Sequence, residues 1–280
     1  MKSYRKKKRR PRPRPTSWVP RWVPRFLVLL LSFFILCCSL FLIKSIPKKI
    51  LPPKLAIIPI MPKIAIIIDD CGYDKKISEE IYKISSPITL AILPFLPYSS
   101  EIAQSASKAG YELMLHLPME PLDSSHNPGE GAIWTKMSPK EIAHQTKVDI
   151  ANLPPLIKGV NNHMGSRATA DKRGMEVILQ ELKKHNLYYI DSVTSENSIG
   201  FAVAKELGIK TGKRDIFLDN EKNADYIKAQ VEKLIKKALK NKNAIGIGHA
   251  HPLTIEVIKE MIPEIEKRGI KLVFASEIVQ

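Results

Sequence analysis

Hydrophobic and polar positions divide the chain into three regimes. Phe26–Ile43 is a run of 18 residues without a charge, close to the ~20 that cross a hydrocarbon core as a helix. Residues 44–63 contain Pro47, Pro52, Pro53, Pro59 and Pro62, a spacing that predicts an extended, semi-rigid stalk. From residue 64 onward, short apolar runs alternate with amphipathic segments. The runs are Ile64–Ile68, Ile88–Leu93, Tyr111–Leu115, Ile157–Val160, Leu187–Ile190, Ile216–Leu218, Ala244–Ile247 and Ile270–Phe274. Continuous apolar runs of this length suit strands buried on both faces. Between them, Ser138, Pro139 and Glu141 form a capping box with proline at the first helical position. Asp171 is placed to cap a helix with the apolar face Met175, Ile178, Leu179 and Leu182, and Ile227, Val231, Leu234, Ile235, Ala238 and Leu239 mark a second such face. Thr254 is the expected cap of a last helix that stops before Gly269. Alternating strand and helix imply a parallel α/β sheet, and seven or eight units fit a barrel better than an open, doubly wound sheet.

Charge sharpens the division. The net charge is +16, from 44 basic and 28 acidic residues, and residues 1–63 carry 16 Lys/Arg with no Asp or Glu. The remainder, 44 − 16 = 28 basic against 28 acidic, is formally neutral, which argues against a nucleic-acid-binding domain. Eleven basic residues precede the apolar run, whereas only Lys44, Lys48 and Lys49 follow it closely. The positive-inside rule then leaves residues 1–25 as a basic cytoplasmic tail and makes 26–43 a single-pass signal-anchor in the inner membrane. Residues 44–63 become the stalk, and 64–280 a domain on the periplasmic side. Trp18 and Trp22 sit where interfacial aromatics belong. A cleaved secretory signal is the competing reading, and it exports the same domain. Cys71 is the sole thiol after the apolar run, so the domain has no internal disulfide and no zinc-finger spacing.

Parallel barrels place their chemistry at the carboxyl ends of the strands. Here those ends lead into Asp69-Asp70, His116, Asn161-Asn162-His163, Asp191-Ser192, Asp219-Asn220 and His249-Ala250-His251. Any one of these has an ordinary explanation, because Asp and Asn favour turns. Their delivery to one rim from separate strands points to a mononuclear divalent metal. Imidazole and carboxylate donors suit zinc, iron, manganese or cobalt, and two His with one Asp leave a position open for water. A second carboxylate can take a proton, and a further His can supply one. Paired carboxylates such as Asp70 and Asp191 also admit a glycoside hydrolase, but that reading leaves the strand-end histidines idle. His126, His144 and His185 fall in loop or helical segments and read as solvated.

Six strings carry a resemblance: Ile64–Tyr73 (IAIIIDDCGY), Ile88–Pro94 (ITLAILP), Met114–Pro121 (MLHLPMEP), Gly159–Ser166 (GVNNHMGS), Phe217–Asn220 (FLDN) and Ala244–Pro252 (AIGIGHAHP). Together, and in this order, they resemble the divergent polysaccharide deacetylase family, relatives of the NodB-type carbohydrate esterases. The resemblance covers essentially all of 64–280. It implies a distorted seven-unit (β/α) barrel of the glycoside hydrolase/deacetylase type, with a metal centre. Asp69 matches the catalytic base and Asp70 the adjacent metal ligand. His116 matches the first His of a His-x-x-x-His ligand pair, and Glu120 stands where the second is expected. His163 is the preferred replacement, with Glu120, Asn162 and His251 as further candidates. His249 matches the general acid and Asp191 the aspartate that orients it. An Arg-Pro-Pro-Tyr string is absent, and Val193 follows Asp191-Ser192 where an Arg is expected.

The expected activity is removal of acetyl groups from an envelope polysaccharide or peptidoglycan sugar, with zinc as the expected cofactor. The chain's expected partners are that acetylated glycan and, through the N-terminal helix, the membrane. The alternative is a catalytically silent module that keeps the barrel and binds carbohydrate or regulates.

Overall fold

A computed structural model describes residues 25–44 and 61–280, and the chain divides into two compact units, Met1–Ile58 and Pro59–Gln280. In the first, helix α1 (Arg25–Lys44) covers the long apolar run. Its described side chains, at positions 27 and 29–40, are all exposed. Among the described residues no helix is long and apolar enough to cross a membrane. The basic tail expected over 1–25, save Arg25, and the stalk expected over 44–63, save Lys44 and 61–63, lie outside the described residues. Trp18 and Trp22 lie there too.

The second unit is built on nine strands: β1 (Lys63–Cys71), β2 (Thr89–Ile92), β3 (Glu112–Met119), β4 (Ile157–Met164), β5 (Tyr188–Asp191), β6 (Thr211–Lys213), β7 (Ile216–Phe217), β8 (Asn243–His249) and β9 (Lys271–Leu272). Every pairing is parallel, in the order β6-β5-β4-β3-β2-β1-β8-β7, with β9 beside the start of β1. No ladder joins β6 to β7 among the described residues. The distorted (β/α) barrel expected from the sequence thus takes the form of a parallel α/β half-barrel.

Seven helices cover the sheet: α2 (Lys75–Ile81), α3 (Ser99–Lys108), α4 (Pro139–Asn152), α5 (Lys172–Lys184), α6 (Gly200–Glu206), α7 (Ala224–Asn241) and α8 (Pro252–Lys267). The Ser138 capping box and the Asp171 cap form as the sequence predicts. The last helix does not start as expected. His251 is its N-cap and Pro252 its first residue, while Thr254 lies buried within the first turn.

Strand alternation sorts the core into two clusters. Ala65, Ile67, Ala91, Met114, Tyr188, Ile190, Ile245 and Ile247 fill the concave side. Ile64, Ile66, Ile68, Leu113, Leu115, Leu117, Val160 and Tyr189 pack outward against the helices. Because successive side chains point to opposite faces, this parity fixes which strand-end residues look into the mouth of the half-barrel. Asp69 continues the inward row of β1, His116 that of β3 and His249 that of β8.

Candidate metal and acid–base centre

Two neighbouring aspartates cannot face one site from a regular strand. Here β1 breaks its regularity at that point. Its register against β2 shifts between Ile68 and Cys71, and Asp70 takes the left-handed conformation at φ 59. A non-glycine residue there costs on the order of 1–3 kcal/mol, which the flanking pairs with β2 and β8 hold in place. The kink turns Asp70 back toward the mouth beside Asp69.

On β3 and β4, His116 lies opposite Asn161 in register, and His163 lies two residues beyond Asn161 on the same face. The result is a triangle. Asp70 Oδ1 is 3.2 Å from His116 Nε2 and 3.0 Å from His163 Nδ1, and the two imidazole nitrogens are 3.1 Å apart. Asp70 Oδ1 is buried and has no hydrogen-bond partner among the described residues. Burial by itself would raise the Asp70 pKa, but the His116 and His163 imidazoles outweigh it and hold the carboxyl well below its usual range. Donors held ~2.1 Å from one cation and roughly 90–109° apart are themselves about 3.0–3.4 Å from each other. The triangle has that size, and its orphaned oxygen is the acceptor a cation would satisfy. The three residues therefore fit a divalent metal, as a carboxylate and two imidazoles that leave further positions open.

Two groups flank the triangle. Asp69 is buried, with Oδ2 3.6 Å from His116 Nε2 and Oδ1 accepting a 2.8 Å hydrogen bond from Asn161. Burial raises its pKa, countered in part by His116. His249 Nε2 lies 3.9 Å from Asp70 Oδ2, and its Nδ1 is 3.0 Å from Asp219 Oδ1. Burial disfavours the charged imidazole, but the Asp219 carboxylate outweighs it and raises the His249 pKa to about 9. Asp219 is itself fixed, because its Oδ2 accepts from the His249 backbone N–H at 2.8 Å and from the Thr254 hydroxyl at 2.7 Å.

Four sequence expectations need correction. Asp191 does not orient His249. It follows Tyr189 on the outward parity of β5, and its carboxylate accepts from Val193 N, Ser198 Oγ and Phe201 N at the start of α6; the orienting carboxylate is that of Asp219. Glu120 does not join the triangle. Beyond the end of β3 its Oε2 is 2.6 Å from both the backbone N and the hydroxyl of Thr135, and its Oε1 lies 3.4 Å from Arg167. Asn162 points outward, where its oxygen accepts from Tyr189 OH and Ser192 N and its amide donates to Met164 O. His251 caps α8, with its ring 5.8 Å from that of His249.

Three contributors escaped the sequence reading as site residues: Asn161, Asp219 and Arg214. Arg214 donates to the carbonyls of Ser192 and Val193 at 2.6 and 2.7 Å. Its guanidinium also covers the Phe217 ring at 4.7 Å, and that ring meets His249 edge to face at 5.3 Å. Val193, where the sequence departs from the expected Arg, has φ 48, a strained position for a β-branched residue that these bonds hold.

Residues 66–279 match the divergent polysaccharide deacetylase family, and the chain belongs to that family. It is 38% identical over 218 residues to the uncharacterized protein YibQ of Escherichia coli K12, covering 78% of this chain and 67% of YibQ. Among solved structures it is similar to the uncharacterized protein ATU2773 of Agrobacterium tumefaciens C58, with TM-score 0.75, 25% identity and coverage of 78% and 89%. It also shares its fold with a BA3943 mutant described as a CE4 family pseudoenzyme with restored enzymatic activity, at TM-score 0.52, 14% identity and coverage of 78% and 67%.

Proposed function

We propose that this protein is a membrane-anchored, metal-dependent hydrolase that removes acetyl groups from an envelope polysaccharide or peptidoglycan sugar. The observation that carries the reading is the triangle of Asp70 Oδ1, His116 Nε2 and His163 Nδ1, set between a buried carboxylate and a carboxylate-paired imidazole. Asp70, His116 and His163 would hold the cation, with zinc as the expected metal. When bound, such a cation polarises the acetyl carbonyl and makes water acidic enough to yield a nucleophile near neutral pH.

The chain's own groups move the protons. Asp69 takes one from the attacking water, and burial strengthens it as a base by raising its proton affinity. Its Oδ1 is occupied by Asn161, which leaves Oδ2 for that task. The carboxylate of Asp219 accepts from Nδ1–H of His249, so the second proton of the imidazolium sits on Nε2, toward the mouth. With a pKa of about 9, His249 is charged at neutral pH and donates that proton to the departing amine or alcohol.

Anchoring is supported by the uncharged run 26–43 behind eleven basic residues, which sets the domain on the periplasmic side. The second reading, a silent carbohydrate-binding module, is favoured by Glu120 and Val193 standing where the family's His and Arg are expected. Acetate release from N-acetylated chito-oligosaccharide and from murein separates the two. The enzyme reading expects release that a chelator abolishes and added zinc restores. A zinc-loaded, folded chain that binds the glycan without releasing acetate would leave the silent module standing.

A further inference from the structure

Asn161 is fully buried on β4, opposite His116 of β3 and on the face that looks into the mouth. Its amide is used at both ends. Oδ1 is 2.8 Å from His116 Nδ1, while Nδ2 is 2.8 Å from Asp69 Oδ1 and 3.3 Å from Ser192 Oγ. Only one orientation of the amide satisfies all three. The NH2 group faces Asp69 Oδ1 and the Ser192 hydroxyl, the orientation that a carboxylate serving as base requires, because it can only accept. The carbonyl oxygen then faces His116, and because it too can only accept, Nδ1 of His116 carries the hydrogen. A metal-ligating imidazole is neutral and has one N–H, so with a cation bound that hydrogen sits on Nδ1 and the Nε2 lone pair would face the cation.

We infer that Asn161 is a positioning residue that couples the metal ligand to the base: one amide fixes the tautomer of His116 and, with its other end, the free oxygen of Asp69. Among the described residues no other side chain is hydrogen-bonded to both. The inference draws on the proposed chemistry for the role of Asp69, whereas its half concerning His116 needs only metal binding. Partners that hold a ligating imidazole through its second nitrogen are generally worth 10–100-fold in metal affinity or activity.

Two substitutions in the detergent-solubilised full chain separate the halves. Asn161→Asp keeps an acceptor for His116 Nδ1–H but has no N–H for Asp69. Asn161→Leu loses both. Zinc affinity is read by competition with a chelating dye at pH 8, acetate release in parallel, and folding by circular dichroism and Tm. We expect Asn161→Leu to weaken zinc about 10–100-fold. Asn161→Asp should hold zinc within about three-fold of the unsubstituted chain, yet lose roughly 100-fold or more in turnover through its misplaced base. A structural role alone would weaken zinc in both variants in step with Tm. The inference is overturned if folded Asn161→Leu binds zinc as tightly as the unsubstituted chain. It is equally overturned if Asn161→Asp, the isosteric variant, loses as much zinc as Asn161→Leu. An unsubstituted chain that binds zinc and releases no acetate would remove the deacetylase reading instead, and the zinc comparison would still decide this one.

Discussion

The two halves of the mouth differ in what they leave unsatisfied. On the β1–β3–β4 side, donor atoms converge on a point where one of them, Asp70 Oδ1, has no hydrogen-bond partner. On the β7–β8 side His249 Nδ1 and the His249 backbone N–H both reach Asp219, which also receives Thr254, and only Nε2 is left facing the mouth. The first half is built to receive a cation, the second to hold a proton. An orphaned carboxylate oxygen is not enough by itself. Asp149 Oδ2 is also buried without a partner, but among the described residues only Gln145 bonds that carboxylate and no imidazole acts on it. Burial raises its pKa to about 8, so it rests mostly protonated at neutral pH. What separates Asp70 from Asp149 is the pair of imidazoles, not burial.

The contrast predicts distinct failures for the groups that move protons and for those that hold the metal. The largest effect is expected for Asp69→Asn and His249→Gln, each losing roughly 10²–10⁴-fold in turnover while metal content, read by elemental analysis, stays near one per chain. Loss of metal in either would merge the two groups. Next, His163→Ala should lower metal content at least about ten-fold, and full retention would remove His163 from the ligand set. The smallest effect is on pH dependence. With its pKa raised from 6.5 to about 9, His249 keeps its proton until the pH passes 9, and so the alkaline limb of kcat/KM belongs there. Asp219→Asn should draw that limb down toward 6.5, with metal content unchanged. The His249–Asp219 pair also stabilises the fold: its contribution is complete at about pH 6, fades as pH rises through 9 and His249 loses its proton, and is lost at the acid end as Asp219, held below its usual range, takes one up. A limb that ignores Asp219→Asn would reassign the acid.

Much of this was legible in the sequence, and the gaps follow from the pattern itself. Most strands appeared as apolar runs, and Asp70, His116 and His163 could be named because they end those runs. Strand parity was harder to read. Leu187–Ile190 is apolar on both faces, so nothing in it tells that Ile190 looks inward and Asp191 outward. In β4 the clue was present: once His163 is taken as a ligand, alternation selects Asn161 and rejects Asn162. Asp219 was visible as a strand-end residue, but its bond to His249 depends on the pairing of β7 with β8, a long-range contact with no local signal. β6 (Thr211–Lys213) has no apolar run at all and is held by β5 on one side and by Gln280 through the Thr211 backbone. The open seam beside it was therefore invisible from residue patterns.

The pairing of β1 also bears on how the chain reaches this state. From Lys63 to Asp69 it is matched by β8, so that Lys63 meets Asn243 and Asp69 meets His249. As synthesis proceeds from the N-terminus, the Ile64–Ile68 segment must wait for most of the domain before that flank is covered. A β-branched, uncharged stretch with one bare edge is a template for pairing with other chains. Contacts so distant in sequence also form slowly. The strand that carries both aspartates thus keeps one edge unpaired until the C-terminal third of the chain has been made.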